Sequence, residues 1–251
     1  KYILAVIIMK NSSLDQEIKE KIPLFTKNPV IQIKSVLKSY TCGENKVQAL
    51  YNINLEINHG DFLAIVGQSG SGKSTLMNIL GCLDVPTEGE YFLNSKPTSK
   101  MKNSELSQIR NTEIGFIFQG FNLIQTLSAI ENVELPLIYR KMDKKQRITL
   151  AKQALVSVGL ESRLKHKPSQ MSGGQQQRVA IARAIVGNPS LILADEPTGN
   201  LDSNSGKEII NILKNLNQSG KTIILITHDA SIAQAAKRVI RIHDGKIVEN
   251  F

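Results

Sequence analysis

The sequence predicts an α/β fold with a parallel sheet at its centre. Three observations carry that expectation. Short apolar runs bounded by turn residues recur at Phe62–Val66, Leu191–Ala194 and Ile223–Ile226, the pattern of strands buried on both faces. Segments of helical period lie between them, and strands alternating with helices pack as a parallel sheet with right-handed crossovers. The composition, 41% hydrophobic and 21% charged over 251 residues, is globular and excludes wholesale disorder, collagen-like repeats and coiled coil. Aromatics are only 5% and Trp is absent, so aliphatic side chains must fill the core.

Each element follows in chain order. Residues 1–28 carry mixed charge, run into Asn28-Pro29 and read as a leader or extension. Strand-like runs appear at Ile31–Val36 and Leu50–Ile57, and the turn Asn58-His59-Gly60-Asp61 leads into Phe62–Val66. Glycines and then a helix, Ser74–Leu83, complete a strand–loop–helix unit. Residues 86–100 are turn-rich, and Ile114–Phe118 reads as another strand. From about 128 to 167 the period is helical, with Ile148, Ala151, Leu155 and Val158 on one face. A helical insert over roughly 100–168 thus interrupts the strand–helix alternation. Ser172–Val186 reads as a helix with Gly173-Gly174 at its start. Ile209, Ile212, Leu213 and Leu216 mark an amphipathic helix closed by Ser219-Gly220. Val239–Ile242 and Ile247-Val248 flank the turn His243-Asp244-Gly245-Lys246.

Two motifs carry chemistry. Gly67-Gln68-Ser69-Gly70-Ser71-Gly72-Lys73-Ser74 fits G-x-x-x-x-G-K-[ST] between an apolar strand and a helix. Glycines let backbone N–H groups close around phosphate oxygens, and the helix turns its positive end to the same anion. Lys73 supplies a charged donor to the β- and γ-phosphates, and the Ser74 hydroxyl suits Mg²⁺. The second motif, Leu191-Ile192-Leu193-Ala194-Asp195-Glu196, sets two carboxylates at the carboxyl end of a buried strand, where ligands bind in open α/β sheets. Asp195 suits Mg²⁺ through its water shell, and Glu196 can take a proton from an attacking water. Two cysteines, Cys42 and Cys82, exclude a disulfide scaffold and make a poor zinc site.

Between these motifs stand Met171-Ser172-Gly173-Gly174-Gln175 and then Gln176-Gln177-Arg178-Val179-Ala180. Here the chain resembles the ATP-binding subunits of ABC transporters, whose signature usually begins with Leu where this chain has Met171. The resemblance covers about residues 30–250. It implies a P-loop NTPase (RecA-like) core with an N-terminal antiparallel β subdomain and the inserted helical subdomain. It places Tyr40 against adenine, Thr75 beside the phosphate loop, Gln119 in the Q-loop with a role at Mg²⁺, Asp202 in the D-loop and His228 as the switch histidine at the γ-phosphate. It assigns Ser172, Gly173, Gly174 and Gln175 to the ATP held by a second subunit, so that two Mg-ATP join a homodimer. Ser74-Thr75-Leu76-Met77-Asn78-Ile79-Leu80-Gly81-Cys82-Leu83-Asp84 and Ala194-Asp195-Glu196-Pro197-Thr198-Gly199 narrow the likeness to the exporter group of MacB, LolD and FtsE.

The implied partner is an integral membrane permease, separate or fused. In the exporter group the assembly extends to a periplasmic adaptor and an outer-membrane channel, and the ATPase sits peripherally on the cytoplasmic face of the inner membrane. No apolar run approaches the ~18 residues of a spanning helix. Lys and Arg total 31 against 22 Asp and Glu, a formal net charge of +9. That charge fits an anionic leaflet without requiring nucleic acid. A soluble relative acting on ribosomes or nucleic acid, and an FtsE-like signalling ATPase of cell division, are the alternative readings. A single phosphate loop opposes the former, because the translation-factor type carries two nucleotide domains in one chain.

Overall fold

A computed structural model describes residues 29–43 and 45–250. The leader expected at 1–28 and the side chain of Cys42 lie outside the described residues. Strands β1 (Ile31–Cys42), β2 (Asn45–Ile57), β4 (Glu88–Leu93) and β5 (Lys96–Pro97) form an antiparallel sheet in the order β2-β1-β4-β5. Strands β3 (Phe62–Val66), β6 (Ile114–Phe118), β7 (Leu191–Asp195), β8 (Thr222–Thr227), β9 (Arg238–His243) and β10 (Lys246–Asn250) form a second sheet, β10-β9-β3-β8-β7-β6. Within it β9, β3, β8, β7 and β6 run parallel, and β10 returns antiparallel at the edge.

The parallel sheet is the middle layer, and the period of two along its strands divides the core. Leu63 and Ile65, Leu191 and Leu193, and Ile224 and Ile226 face the antiparallel sheet. There they meet Leu76 and Leu80 of helix α1 (Lys73–Leu80) and Leu106 and Ile109 of helix α2 (Asn103–Glu113). Ile192 and Ala194, with Ile223 and Leu225, face the opposite way. They pack on Val179 and Ile181 of helix α5 (Gly173–Ile185) and on Ile209 and Leu213 of helix α6 (Ser203–Gln218). Both faces are covered, which is why these strands are unbroken apolar runs.

Helices α3 (Ala129–Tyr139) and α4 (Lys144–Ser157) account for the helical pattern from about 128. Ser128 and Glu131 close a capping box on α3, and Asp143 accepts from the Lys145 and Gln146 amides to start α4. Strand β6, although inside the expected insert, pairs with β7 in the parallel sheet. Of the four residues expected on one helix face, Ala151 and Leu155 of α4 and Val158 at its C-cap are buried, whereas Ile148 is 37% exposed. Among the described residues no helix is long and apolar enough to cross a membrane.

Strand β4 corrects the turn-rich reading of residues 86–100. Its sequence Glu88-Gly89-Glu90 exposes both carboxylates, and only Tyr91 and Leu93 are buried. Gly89 lies beside an irregularity in β1, where Ser35 has φ 49°. A Cβ on Gly89 would stand 2.4 Å from the Ser35 carbonyl oxygen. The glycine that suggests a turn is therefore a bulge glycine.

Candidate active site

The phosphate loop hangs between β3 and α1. Gly72 has φ 107°, a conformation closed to residues with a Cβ, and precedes the first helical residue, Lys73. The Lys73 ammonium folds back to donate to the carbonyls of Gly67 and Gln68, at 2.7 Å each. Ser69 and Gly70 are exposed, while the Ser71 hydroxyl is buried without a hydrogen-bond partner. A Cβ on Gly67 would stand 2.4 Å from the Ile242 carbonyl, so the loop is seated directly on β9. Bare backbone, an orphaned hydroxyl and a lysine satisfied only by the loop's own carbonyls are what a triphosphate would complete.

The loop opens onto a cleft of about 1020 Å³ that also takes in Ser74, Gln119, Asp195, Glu196 and His228. These residues come from separate elements: β6 delivers Gln119, β7 delivers Asp195 and Glu196, and β8 delivers His228. Asp195 ends β7, and Gln119, Glu196 and His228 lie just beyond the carboxyl ends of parallel strands. A second groove, about 1130 Å³, runs past Leu83, Phe118, Pro136, Tyr139 and Arg183. It is the larger of the two, but it has neither phosphate loop nor carboxylate pair. The chemistry belongs to the smaller cleft.

Glu196 is held by three donors. Its Oε1 accepts from the His228 amide at 2.8 Å and lies 2.6 Å from His228 Nδ1. Its Oε2 accepts from the Thr227 hydroxyl at 3.0 Å. The Glu196 backbone has φ 44°, left-handed and costly by about 1–2 kcal/mol for a residue with a Cβ. Its amide donates to the Ile226 carbonyl at 2.9 Å, which pins that conformation. Oε1 has two donors and Oε2 has one, so Oε2 keeps the freer acceptor capacity of the carboxylate. A neutral His228 ring donating from Nδ1 presents Nε2 as an acceptor. Contact with a phosphate oxygen then needs the protonated ring or release of Glu196.

Asp195 sits beside this group, half-buried. Burial raises its pKa, the adjacent Glu196 carboxylate pushes in the same direction, and Lys73 opposes them. A raised pKa means that folding disfavours the charged form. The carboxylate therefore destabilises the fold at neutral pH, and the penalty fades as pH falls towards its pKa. Replacing Asp195 by Asn should raise Tm at pH 7, by no more than about 2 °C once solvent screening is allowed for. The gain should shrink in mildly acidic buffer; a Tm that falls instead would show that the charge is stabilising.

Gln119 and Asn200 exchange hydrogen bonds. The Gln119 side chain donates to Asn200 Oδ1 at 3.2 Å, and the Asn200 amide donates to the Gln119 carbonyl at 3.1 Å. A Cβ on Gly199 would stand 2.6 Å from Gln119 Nε2, so Gln119 lies directly over that glycine.

Other expected site residues lie elsewhere. Tyr40 is 38% exposed and does not line the cleft. Its hydroxyl donates to Asp84 Oδ2 at 3.0 Å, and the Lys38 ammonium sits 4.9 Å from the ring centre. Ser172 is exposed and caps α5: its hydroxyl accepts from the Gln175 amide at 3.3 Å, and its amide donates to the Gln175 side chain at 3.1 Å. Gly173 and Gly174 pack towards Leu201 and Ser205 respectively. Asp202 caps α6, accepting from the Asn204 and Ser205 amides at 3.0 Å. None of Ser172, Gly173, Gly174, Gln175 or Asp202 lines the cleft.

Sequence reasoning missed Thr227, Asn200 and Gln177 as parts of this machinery. Gln177 is fully buried and donates to the Pro197 carbonyl at 2.7 Å, tying α5 to the segment that follows Glu196. Its signal is a polar residue one turn before Ile181 on the apolar side of a helix.

Residues 50–199 match the family model described as ABC transporter. An ABC transporter ATP-binding protein of Methanocaldococcus jannaschii, MJ1508, is 53% identical over 88% of this chain and 98% of its own length. The macrolide export ATP-binding/permease protein MacB of Mannheimia succiniciproducens is 50% identical over 88% of this chain. The match spans only 34% of that protein, about a third of its length. A solved dimeric, post-hydrolysis structure of the cassette MJ0796 bound to ADP and Pi superposes with a TM-score of 0.81 at 48% identity, covering 88% of this chain and 97% of that one. The likeness runs through the phosphate loop, the acidic strand end and the signature helix on the same fold: the chain belongs to the ABC transporter family, as an ATP-binding and ATP-hydrolysing cassette.

Proposed function

We propose that this cassette hydrolyses Mg-ATP between two copies of itself and drives an export-type integral membrane permease from the cytoplasmic face of the membrane. The observation that carries the reading is the division of the site. The cleft gathers Lys73, Ser74, Gln119, Asp195, Glu196 and His228, while the exposed, Ser172-capped start of α5 stands outside it. That capped end, with Gly173 and Gly174 behind it, suits an anion held by a second copy. Ser74 and Gln119, with Asp195 through a water, would hold Mg²⁺, which would supply charge neutralisation at the phosphates. Lys73 holds the phosphate chain, Glu196 Oε2 takes the proton of the attacking water, and His228 and Thr227 fix the carboxylate. Tyr40, anchored by Asp84, offers its exposed ring to the adenine.

The larger groove is the surface on which we place the permease. Tyr139 at its rim is 79% exposed, and the floor includes Phe118, which directly precedes Gln119. The floor of the groove is thus one peptide bond away from a residue of the cleft. A periplasmic adaptor and outer-membrane channel would complete an assembly of the MacB kind. Detergent extraction of membranes carrying the tagged cassette tests the reading. An integral membrane protein should co-purify, and Tyr139→Asp should reduce its recovery about tenfold. Recovery of ribosomal RNA in its place would favour the soluble alternative.

A further inference from the structure

The chain between Gln119 and α3 is strained. Phe121 and Asn122 are consecutive residues with φ 60° and 50°. For a bulky side chain such as Phe121 this left-handed region is an outlier that persists only when its surroundings impose it. Arg183, in the last turn of α5, supplies the restraint. Its Nη1 donates to the Asn122 carbonyl at 2.5 Å and its Nη2 to the Phe121 carbonyl at 2.9 Å. One planar fork thus fixes the orientation of both peptide planes. The Asn122 amide closes the turn on the Gly120 carbonyl at 2.6 Å.

Two residues upstream, Gln119 lies over Gly199 and is clasped by Asn200. If either strained peptide relaxed to right-handed backbone, the direction of the chain leaving Gln119 would change and the clasp could not be kept. Arg183 and Asn122 also line the larger groove. Arg183 therefore borders the larger groove on one side and restrains a cleft residue on the other.

We infer that Arg183 is a positioning residue for ATP hydrolysis: it latches Phe121 and Asn122 in the left-handed conformation and so holds Gln119 at the cleft. This rests on the role proposed above for Gln119, and it names the side chain of α5 that enforces that role.

The test is a rescue combined with a mutant cycle, read as kcat and as nucleotide affinity. Arg183→Gln and Arg183→Lys should each lower kcat about tenfold while leaving the Kd for ATP within about twofold, because a displaced group beside the reacting atoms costs rate rather than binding. Lysine keeps the charge and stem but cannot span two carbonyls, so it serves if the glutamine variant fails to fold. Adding Phe121→Gly, which makes the left-handed conformation acceptable at the residue that tolerates it least, should recover part of the lost kcat without restoring the guanidinium. In a Gln119→Ala background, Arg183→Lys should cost less than about twofold more. Wild-type kcat in both Arg183 variants, absence of rescue by glycine, or full additivity with Gln119→Ala would each overturn the latch. If Gln119→Ala itself leaves kcat unchanged, the role given to Gln119 fails first, and the cycle shows which of the two claims has gone.

Discussion

Glu196→Gln should bind ATP and almost cease to hydrolyse it. The substitution keeps the side chain's shape and its Oε1 acceptor, so the His228 amide and ring retain their partner at about the distances now seen, 2.8 and 2.6 Å. The new amide faces Thr227, whose hydroxyl can rotate to accept. The fold and the strained backbone at Glu196 are therefore preserved, and the loss falls on chemistry alone. Without a base on the Oε2 side, kcat should fall about 10²- to 10⁴-fold. Removing a negative charge beside the phosphate site also reduces repulsion of bound ATP, so affinity should hold or rise. ATP should then accumulate between two copies, and size-exclusion chromatography should show a dimer with ATP and a monomer without. A variant that turns over within tenfold of wild type would remove Glu196 from the role of base. One that stays monomeric in saturating ATP would remove the shared site.

Legibility in the sequence followed the range of the interaction that fixes each feature. Strands β3, β7 and β8 were legible because both their faces are buried and their stretches Phe62–Val66, Leu191–Ala194 and Ile223–Ile226 are wholly apolar. The phosphate loop and the Asp195–Glu196 pair were legible because their function is set by spacing along the chain. Strands β1 and β2 run beyond their apolar stretches, since Lys38 and Tyr40 continue the ladder opposite Leu50 and Val47 while pointing charge and phenol at Asp84. Strand β4 was hidden by Gly89, which signals a turn locally and answers a close approach of Ser35 in space. Ile148 fits the helical period but lies at the exposed edge of α4, because periodicity fixes a face and not its limits. In the site, the Gln119–Asn200 clasp and the Arg183 fork join residues far apart in sequence, so no local pattern reports them. The resemblance supplied the roles of Ser172 and Asp202, and the structure adds that each also caps its own helix.

Lys73→Ala should have the second large effect, on binding. The ammonium donates to two loop carbonyls, at 2.7 Å each. Those bonds shape the loop, and a triphosphate competes for the same donors. Alanine removes both functions at once: the loop loses its internal tie, and the phosphates lose the charged donor that replaces it. Hydrogen bonds to a charged group contribute about 1.5–3 kcal/mol each, so loss of about 3 kcal/mol weakens ATP binding roughly 100-fold. Calorimetry should show that loss for ATP, and thermal unfolding should show little change. Gly67 and Gln68 lie outside both hydrophobic clusters, and their carbonyls can turn to water. The same substitution removes the cation that opposes the raised pKa of Asp195. Asp195→Asn should therefore raise Tm more in the Lys73→Ala background than in the wild-type protein, since the half-buried carboxylate there stays beside Glu196 without the Lys73 charge that opposes its raised pKa. Equal gains in the two backgrounds would place Lys73 and Asp195 outside each other's field. Unchanged ATP affinity would assign the lysine to shaping the loop alone.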